Sequence, residues 1–448
     1  MTGTTAPPLT GSLRERGPFR AMVAAVASLT ASALPAFLLG PLGIQVTDDL
    51  GFSKTQLGIA IAAFYLVSAI GSLHAGALSD RIGPRRALLI SNAVSAICLL
   101  GVATLANGFP ALLLIMLVGS VGLMISGPAT KVLVAREVPL AEQGLAFGIQ
   151  MSAIPFAALL GGLAVPTIGL TVGWRWAFAG AVLIPLLGAL TLPHDRAAAA
   201  PSEPQPNRFA HVDFRPLVML GVAAILGAAA ATVTASFFVV TGTDAGFSEG
   251  VAGVMLSVVS GLVIVLRIAF GRVASRWESA HPYAVAGLFL IATGGYLLLA
   301  LGTKALFPIG AFLALSFGWA WTGLLVYTVV LHNPGAPGLA SSVIVGGMNL
   351  GSVLGPLVFG LAIERLTDSA AFAIIGVGTL LAAAASRLGL ERLSRAALDA
   401  AAEAPGGAGV PNRSYTSERR GPVTPDAAGA LVHPDETTCS RTNPSGDL

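Results

Sequence analysis

The chain alternates long apolar runs with short polar breaks over most of its length. Each run has about 20 residues or more, which is the length a helix needs to cross the hydrocarbon core of a bilayer. Backbone polar groups in lipid must be paired within the segment, so such runs predict helices and not open strands. Twelve spans are predicted, with the approximate bounds 21–47, 54–76, 86–106, 110–134, 143–167, 176–193, 216–242, 249–271, 281–301, 305–329, 338–362 and 371–388.

The first run has some features of a signal peptide. Arg14, Arg16 and Arg20 precede it, and Ala31-Ser32-Ala33 resembles a cleavage site. The apolar stretch nevertheless extends from position 21 to about position 46. It therefore exceeds the core of a signal peptide, which has roughly 7 to roughly 15 residues. We interpret it as the first membrane span.

Composition excludes an ordinary soluble protein. Only 10% of the residues are charged, and the mean hydropathy is +0.80. Soluble domains have about 25% charged residues. The net charge of +3 is too small to indicate a nucleic-acid partner. Cys98 and Cys439 lie in an apolar run and a polar tail, so we expect no disulfide framework and no metal site. The pattern predicts an all-α membrane protein without a cofactor.

The polar segments divide the chain into five parts. The predicted parts are a cytoplasmic N-terminal segment (1–20), a six-helix bundle (21–193), a cytoplasmic linker (194–215), a second six-helix bundle (216–390) and a disordered cytoplasmic tail (391–448). Disorder is expected in the tail because it is rich in Gly, Pro, Ser, Thr and charge and has no apolar periodicity.

The distribution of Lys and Arg predicts the orientation. With the N-terminus inside, four of the 25 basic residues fall in outer loops, namely Lys54, Arg175, Lys304 and Arg365. The others fall on the cytoplasmic side, as the positive-inside rule requires. The chain is therefore expected to be a multi-pass protein of the plasma (inner) membrane with both termini in the cytoplasm.

A single offset relates the two predicted bundles. Gly51-Phe52-Ser53 and Gly246-Phe247-Ser248 are 195 residues apart, and the same offset carries Gly58 to Gly253. It also superimposes six spans on six without a gap. An in-phase repeat of six helices gives both halves the same topology, related by an axis along the membrane normal.

The loop after the second span carries the motif Gly76-Ala77-Leu78-Ser79-Asp80-Arg81-Ile82-Gly83-Pro84-Arg85-Arg86. This motif resembles the loop signature of the major facilitator superfamily (MFS). The segment from Gly173 to Phe178 and the glycine-rich eleventh span are also similar to that family. The resemblance covers roughly residues 20–390 and implies two pseudo-symmetric six-helix bundles that transport a solute by alternating access.

The loop signature implies a gate. Its candidate residues are Gly76, Asp80, Arg81, Gly83, Arg85 and Arg86, with Gly271 and Arg276 as repeat partners in the second half. The family resemblance places Asp80 against the start of the eleventh span near Gly338, where a helix N-terminus favours an acid. The alternative to a gating role is that Asp80 only balances the charge of the neighbouring arginines in this loop. We call the contact of Asp80 with the start of the eleventh span the latch. The repeat puts Ser275 where the first half has Asp80, so we expect a latch in the first half only.

The resemblance also implies a substrate cavity near the middle of the membrane, between the halves. Polar and aromatic side chains of the inner spans are its candidates: Thr30, Ser120, Gln150, Thr234, Trp321, Tyr327 and Asn349. Trp319 is an alternative to Trp321, because residues two apart on a helix cannot both face one pore. Hydroxyl side chains also commonly bond their own or a neighbouring helix.

Ionisable residues are rare inside the predicted spans. No Asp or Glu lies there away from the ends, and His74 lies beside Gly76. Lys131 and Arg267 are expected to extend to the membrane surface, as long basic side chains commonly do. The absence of Asp and Glu inside the predicted spans favours a facilitative or secondary active transporter of a small solute. The alternative is a proton-coupled efflux antiporter for a drug or secondary metabolite.

A catalytic function is not expected. The segment from Gly246 to Gly250 matches the Gly-x-Ser-x-Gly pattern of hydrolases, but it follows a membrane helix and not a strand. We expect no enzyme activity, a small-molecule solute and the lipid bilayer as partners, no nucleic acid, and a monomer. The sequence indicates neither the solute nor the direction of transport.

Overall fold

The computed structural model describes residues 16–139, 142–193, 214–273, 281–333 and 337–403, without the side chains of 16, 72–78, 80, 144, 270–273, 281–282, 337–339 and 396–403. Within these ranges every regular element is helical. The helices of the first half are Arg16–Leu39, Gly43–Leu50, Lys54–Ile82, Pro84–Leu105, Phe109–Glu137, Gln143–Met151, Ala153–Ala164, Leu170–Val172, Trp174–Ala181 and Leu183–Thr191, with a π-helical turn at Val165–Gly169. Those of the second half are Phe214–Asp244, Glu249–Val273, His281–Ala300, Phe307–His332, Pro337–Arg365 and Asp368–Glu403.

Twelve of the described segments are long and apolar enough to cross a membrane, which confirms the predicted number of spans. We refer to them by order, from the first span to the twelfth. The short helix Gly43–Leu50 lies at one end of the bundle, together with the turns at residues 106–108, 245–248 and 301–306. We call the short helix Gly43–Leu50 α2, and this end of the bundle the α2 end.

Three predicted spans are interrupted helices, and the sixth span breaks at Val182, between Trp174–Ala181 and Leu183–Thr191. The first span stops at Leu39, and the turn through Gly40, Pro41 and Leu42 separates it from the short helix that follows. The fifth span breaks at Ser152 and changes to π-helical geometry at residue 165. Proline accounts for the two changes in the fifth span, since Pro155 and Pro166 each lack the N–H that would bond the carbonyl four residues earlier.

Two helices extend beyond the predicted bounds. The second span's helix continues to Ile82, so most of the loop motif, Gly76 included, is helical and the turn is confined to Gly83. The twelfth helix continues to Glu403, beyond residue 391, where the predicted tail begins. Ala, Leu, Arg and Glu predominate in residues 390–403, with no proline before Pro405. These residue types are strong helix formers.

The repeated Gly-Phe-Ser segments have the same structure in both halves. Gly51 and Gly246 have φ of +66° and +90°. Ser53 caps the second span through the N–H of Gln56, and Ser248 accepts a hydrogen bond from the N–H of Val251. The phenylalanines of the two repeats also match. Phe52 packs on Phe109 with ring centroids 5.7 Å apart, and Phe247 packs on Phe307 with ring centroids 5.8 Å apart. Ser248 is thus a helix cap at the start of the eighth span.

The halves pack through two pairs of helices. The second span lies against the eleventh, and the fifth lies against the eighth. Residues up to Ala400 form one compact unit, so the two six-helix bundles are closely associated. The functional geometry lies along these two inter-half contacts. The predicted domain bounds remain a prediction.

Candidate functional site between the two halves

Two glycines related by the repeat bring the halves into backbone contact. Gly58 on the second span faces the carbonyl oxygen of Pro356 on the eleventh. Gly253 on the eighth span faces Gly162 on the fifth, and a β-carbon on Gly253 would lie 2.6 Å from the carbonyl oxygen of Gly162. Side chains at either position would separate the helices. These two close contacts, which we call the glycine seams, are equivalent in the two halves of the repeat.

Polar pairs join the halves at the α2 end. We call this group the polar seal. It consists of the Lys54–Asp244 ion pair (2.8 Å), the hydrogen bond from the N–H of Thr55 to Glu364 (2.8 Å) and that from Gln45 to Glu249 (3.1 Å). The side chains of Lys54 and Asp244 are each 41% exposed, so the pair interacts in contact with solvent.

A pocket of about 180 Å³ lies beneath the polar seal. Leu57 and Val240, on opposite halves, contribute to its wall. Its volume is below the ~300–1,000 Å³ of a typical small-molecule site. The pocket therefore lies within the contact between the halves at this end and is smaller than a typical small-molecule site.

Arg267 projects from the eighth span into the interface between the halves. Its Nη1 donates to the carbonyl oxygen of Met151 on the fifth span (2.7 Å), and its Nη2 donates to the carbonyl oxygen of Trp319 on the tenth (3.2 Å). Nη2 also lies 3.4 Å from the hydroxyl of Thr322, and the guanidinium carbon is 5.6 Å from the centre of the Trp319 ring. This geometry combines hydrogen bonds with a cation–π contact.

The break in the fifth span explains why Met151 accepts this bond. In a continuous helix the N–H of residue 155 would bond the carbonyl of Met151, but Pro155 has no N–H. The helix accordingly ends at Met151, and its carbonyl is left for a donor from elsewhere. Arg267 of the other half supplies that donor.

The candidate cavity residues of the first half mostly tie neighbouring helices together. Thr30 donates to the carbonyl oxygen of Ala153, joining the first span to the fifth (3.3 Å). Ser120 accepts from the N–H of Ser68 at 3.0 Å, and Gln150 donates to Thr130 at 2.8 Å. All three candidates are fully buried. The Oε1 atom of Gln150 is buried without a hydrogen-bond partner in the described structure.

The candidates of the second half are more scattered. Thr234 hydrogen-bonds Tyr296 on the ninth span at 2.9 Å, inside the second bundle. Trp321 is fully buried there, 5.0 Å from the ring of Phe289, and its Nε1 donates to the carbonyl of Gly318. Tyr327 is 41% exposed and Asn349 is half-buried.

The aromatic residue at the interface is Trp319. Its ring packs edge-on against Phe37 of the first span, with centroids 5.9 Å apart, and its carbonyl accepts from Arg267. Of the two tryptophans that the sequence offered for this position, Trp321 thus faces the second bundle and Trp319 the first half.

The gate residues are only partly described. Gly83 has φ of +82° and ends the second span, while Arg81 and Arg86 are exposed and Arg85 is half-buried. Gly271 lies in the eighth helix. The side chain of Asp80 and all of Arg276 lie outside the described residues, so the latch stays a prediction.

The contacts of Arg267 differ from those that the sequence predicts. The pattern predicts a side chain that extends toward the membrane surface, but the guanidinium reaches the carbonyl of Trp319, near the middle of the helix Phe307–His332. A usable signal was present in the sequence. The helix carries a second basic residue, Arg272, nearer its end, so surface anchoring does not require Arg267.

Known proteins share this architecture. The chain is 26% identical to the chloramphenicol resistance protein of Streptomyces lividans over 341 residues, which are 74% of this chain and 86% of that protein. It is 27% identical to the enterobactin exporter of Salmonella typhi over 316 residues, 65% of this chain and 73% of that one. The crystal structure of a D-xylose–proton symporter has the same fold, with a TM-score of 0.63, 17% identity and coverage of 82% and 96%.

The sequence model of the Major Facilitator Superfamily matches residues 19–345, which contain the whole first half and most of the second. A match over this much of the chain, with relatives that are transporters and a shared fold, settles the family. The chain belongs to the major facilitator superfamily and is a membrane transporter of small solutes.

Proposed function

We propose that the chain carries its solute by alternating access in the cell's plasma membrane, with the α2 end outside and both termini in the cytoplasm. The excess of Lys and Arg at the opposite end supports this orientation. The protein acts as a monomer and moves its solute without changing it chemically. In the conformation described, the route is closed at the outer end.

The polar seal is the observation that carries this proposal. It joins the halves by exposed pairs such as Lys54–Asp244. An exposed ion pair contributes only ~0.2–1 kcal/mol. Contacts this weak can hold one end of the transporter closed and still break in each cycle. The glycine seams allow the halves to tilt, because backbone meets backbone there without interlocking side chains.

A cysteine reporter tests this cycle. Leu57 is fully buried at the pocket beneath the polar seal, so Leu57→Cys, in a background lacking Cys98 and Cys439, should react with a membrane-impermeant maleimide only when the outer end opens. Labelling of intact cells should be slow and should accelerate when Lys54→Met and Asp244→Asn are added. An unchanged rate would contradict the seal.

A control cysteine tests the orientation separately. Val172 is 62% exposed at the α2 end, so Val172→Cys should react rapidly in intact cells with or without the seal. Labelling only in inside-out vesicles would reverse the proposed orientation and leave the question of the seal unaffected.

Export is a second candidate, favoured by the two relatives matched over most of their length, a resistance protein and an exporter. Cells producing the chain should then accumulate less labelled chloramphenicol than cells producing an inactive variant. Coupling to protons is tested by the same flux in proteoliposomes with and without a pH gradient. The described spans place no carboxylate away from their ends, so we expect no acceleration by the gradient.

A further inference from the structure

Arg267 is a positive charge without a carboxylate partner among the described residues. Its described contacts are carbonyl oxygens, one hydroxyl and an aromatic ring. Carbonyl groups satisfy N–H donors but leave the charge unbalanced. Charged residues inside a membrane are rare, and by default they mark a substrate or ion pathway.

The position of the guanidinium agrees with a substrate site. Trp319, whose carbonyl it reaches, lies near the middle of the 26-residue helix Phe307–His332. Met151 belongs to the other half, so the group lies between the two repeats. Solutes in transporters built from repeats bind near the bilayer midplane at the interface between them.

The guanidinium also retains unused hydrogen-bonding capacity. Its Nε is buried and has no hydrogen-bond partner in the described structure, and the two contacts of Nη2 are long, at 3.2 and 3.4 Å. Nε and Nη2 form one edge of the guanidinium fork, which matches the two oxygens of a carboxylate. A carboxylate at this edge would replace the weak bond to Thr322.

A second cation lies on the fourth span. Lys131 is exposed although its neighbours Thr130 and Leu133 are buried, and it lies about one and a half turns before the helix end at Glu137. An ammonium group facing lipid at this depth is costly, whereas one facing the route between the halves is hydrated. With Arg267 at the interface between the halves and no described carboxylate away from the span ends, this route is electrostatically favourable for anions.

We propose that Arg267 binds the carboxylate of a small organic anion, which is the solute class of this transporter, and that Lys131 assists by attracting it. The ring of Trp319 beside the guanidinium is apolar, so the rest of the solute is uncharged. This inference rests on the proposed function only in that the interface between the halves is the transport route.

Matched probes test the proposal without a transport assay. The purified chain in lipid nanodiscs is titrated with benzoate and phenylacetate and with their neutral amides at neutral pH, with binding followed by tryptophan fluorescence. One charge-assisted hydrogen bond corresponds to about tenfold in affinity, so the wild type should bind at least one carboxylate about tenfold more tightly than its amide. Absence of any such preference would overturn the proposal.

Variants assign the preference to Arg267. R267Q should reduce the ratio of amide Kd to carboxylate Kd to about one, R267K should retain part of it because it keeps the charge without the fork, and K131Q should lower it about two- to fivefold. R175Q is the matched control, because Arg175 is paired with Asp49 at the α2 end and should leave the ratio unchanged. A preserved ratio in R267Q, or an equal loss in R175Q, would also overturn the proposal.

The Leu57→Cys reporter separates this inference from the proposed function. If R267Q unfolds, labelling of Leu57→Cys becomes rapid and the comparison rests on R267K and K131Q. If the wild type shows a closed outer end but no carboxylate preference, alternating access stands and the anion site fails. If the carboxylate preference depends on Arg267 but the reporter never opens, the binding site stands and the proposed cycle fails.

Discussion

Lys54 and Asp244 form an ion pair across the two halves, with 2.8 Å between Nζ and Oδ2. Lys54 begins the second span and Asp244 ends the seventh, so the pair spans the outer mouth of the proposed route. Since both side chains are partly exposed, the pair holds the mouth closed only weakly.

Exchanging these charges should restore the seal. Lys54→Met alone should raise the labelling rate of Leu57→Cys about two- to fivefold, which corresponds to the energy of an exposed pair. The double exchange Lys54→Asp with Asp244→Lys should return the rate toward that of the wild type. Arg175→Met, which breaks an ion pair within the first half, is the control and should have no effect.

Substituting the seam glycines should prevent closure. Gly58→Val and Gly253→Val each place a side chain against backbone of the opposite half, so both variants should label rapidly at Leu57→Cys. Gly287→Ala is the matched control on the ninth span, where a β-carbon meets nothing within 4 Å. Normal labelling in both valine variants would show that the seams do not set the closed state.

The two glycines before the second and eighth spans should affect stability. Gly51→Ala and Gly246→Ala each place an L-residue at positive φ. The left-handed conformation costs an L-residue about 1 to about 2 kcal/mol, so each variant should have a lower melting temperature in detergent. Gly180→Ala, a helical position with open space around it, should keep or raise it. Equal melting temperatures in all three variants would argue against backbone strain.

Trp319 and Trp321 should differ in what they control. Trp321 is a fully buried ring. Trp321→Ala should therefore destabilise the second bundle by about 3–5 kcal/mol, measured by thermal unfolding. Trp319→Ala also removes a buried ring, but it should in addition alter the carboxylate preference and the labelling rate, because that ring contacts both Phe37 and Arg267. The reverse pattern would place the aromatic wall at Trp321.

The one-sided latch remains to be tested. Asp80→Asn should impair transport far more than Ser275→Ala, because only the first half carries an acid at this repeat position. The measurement is flux, at matched expression, of the carboxylate that the wild type binds most tightly. Equal losses in the two variants would eliminate the latch.

The number of spans could be predicted from sequence because membrane thickness acts on each apolar run separately. The partners of individual side chains could not. The fourth and tenth spans are apolar on nearly all faces, so their sequences do not indicate which face meets which neighbour. Thr30 and Gln150 accordingly turned out to bond the fifth and fourth spans.

Arg267 illustrates a second limit. Its place in the eighth span is readable, but the direction of its side chain depends on a free carbonyl in another helix more than a hundred positions away along the chain. The cause of that free carbonyl, Pro155, is itself plain in the sequence. What is missing is the spatial pairing of the two, which only the packed structure supplies.

The glycine seams have a consequence for how this transporter tolerates change. Gly58 and Gly253 occupy equivalent positions of the repeat, and each faces a helix of the opposite half. Because backbone meets backbone there, the halves fit together at the seams without matching side chains. The same close approach leaves the seams without spare volume, so substitutions that change solute preference are expected on the walls between the two seams and not within them.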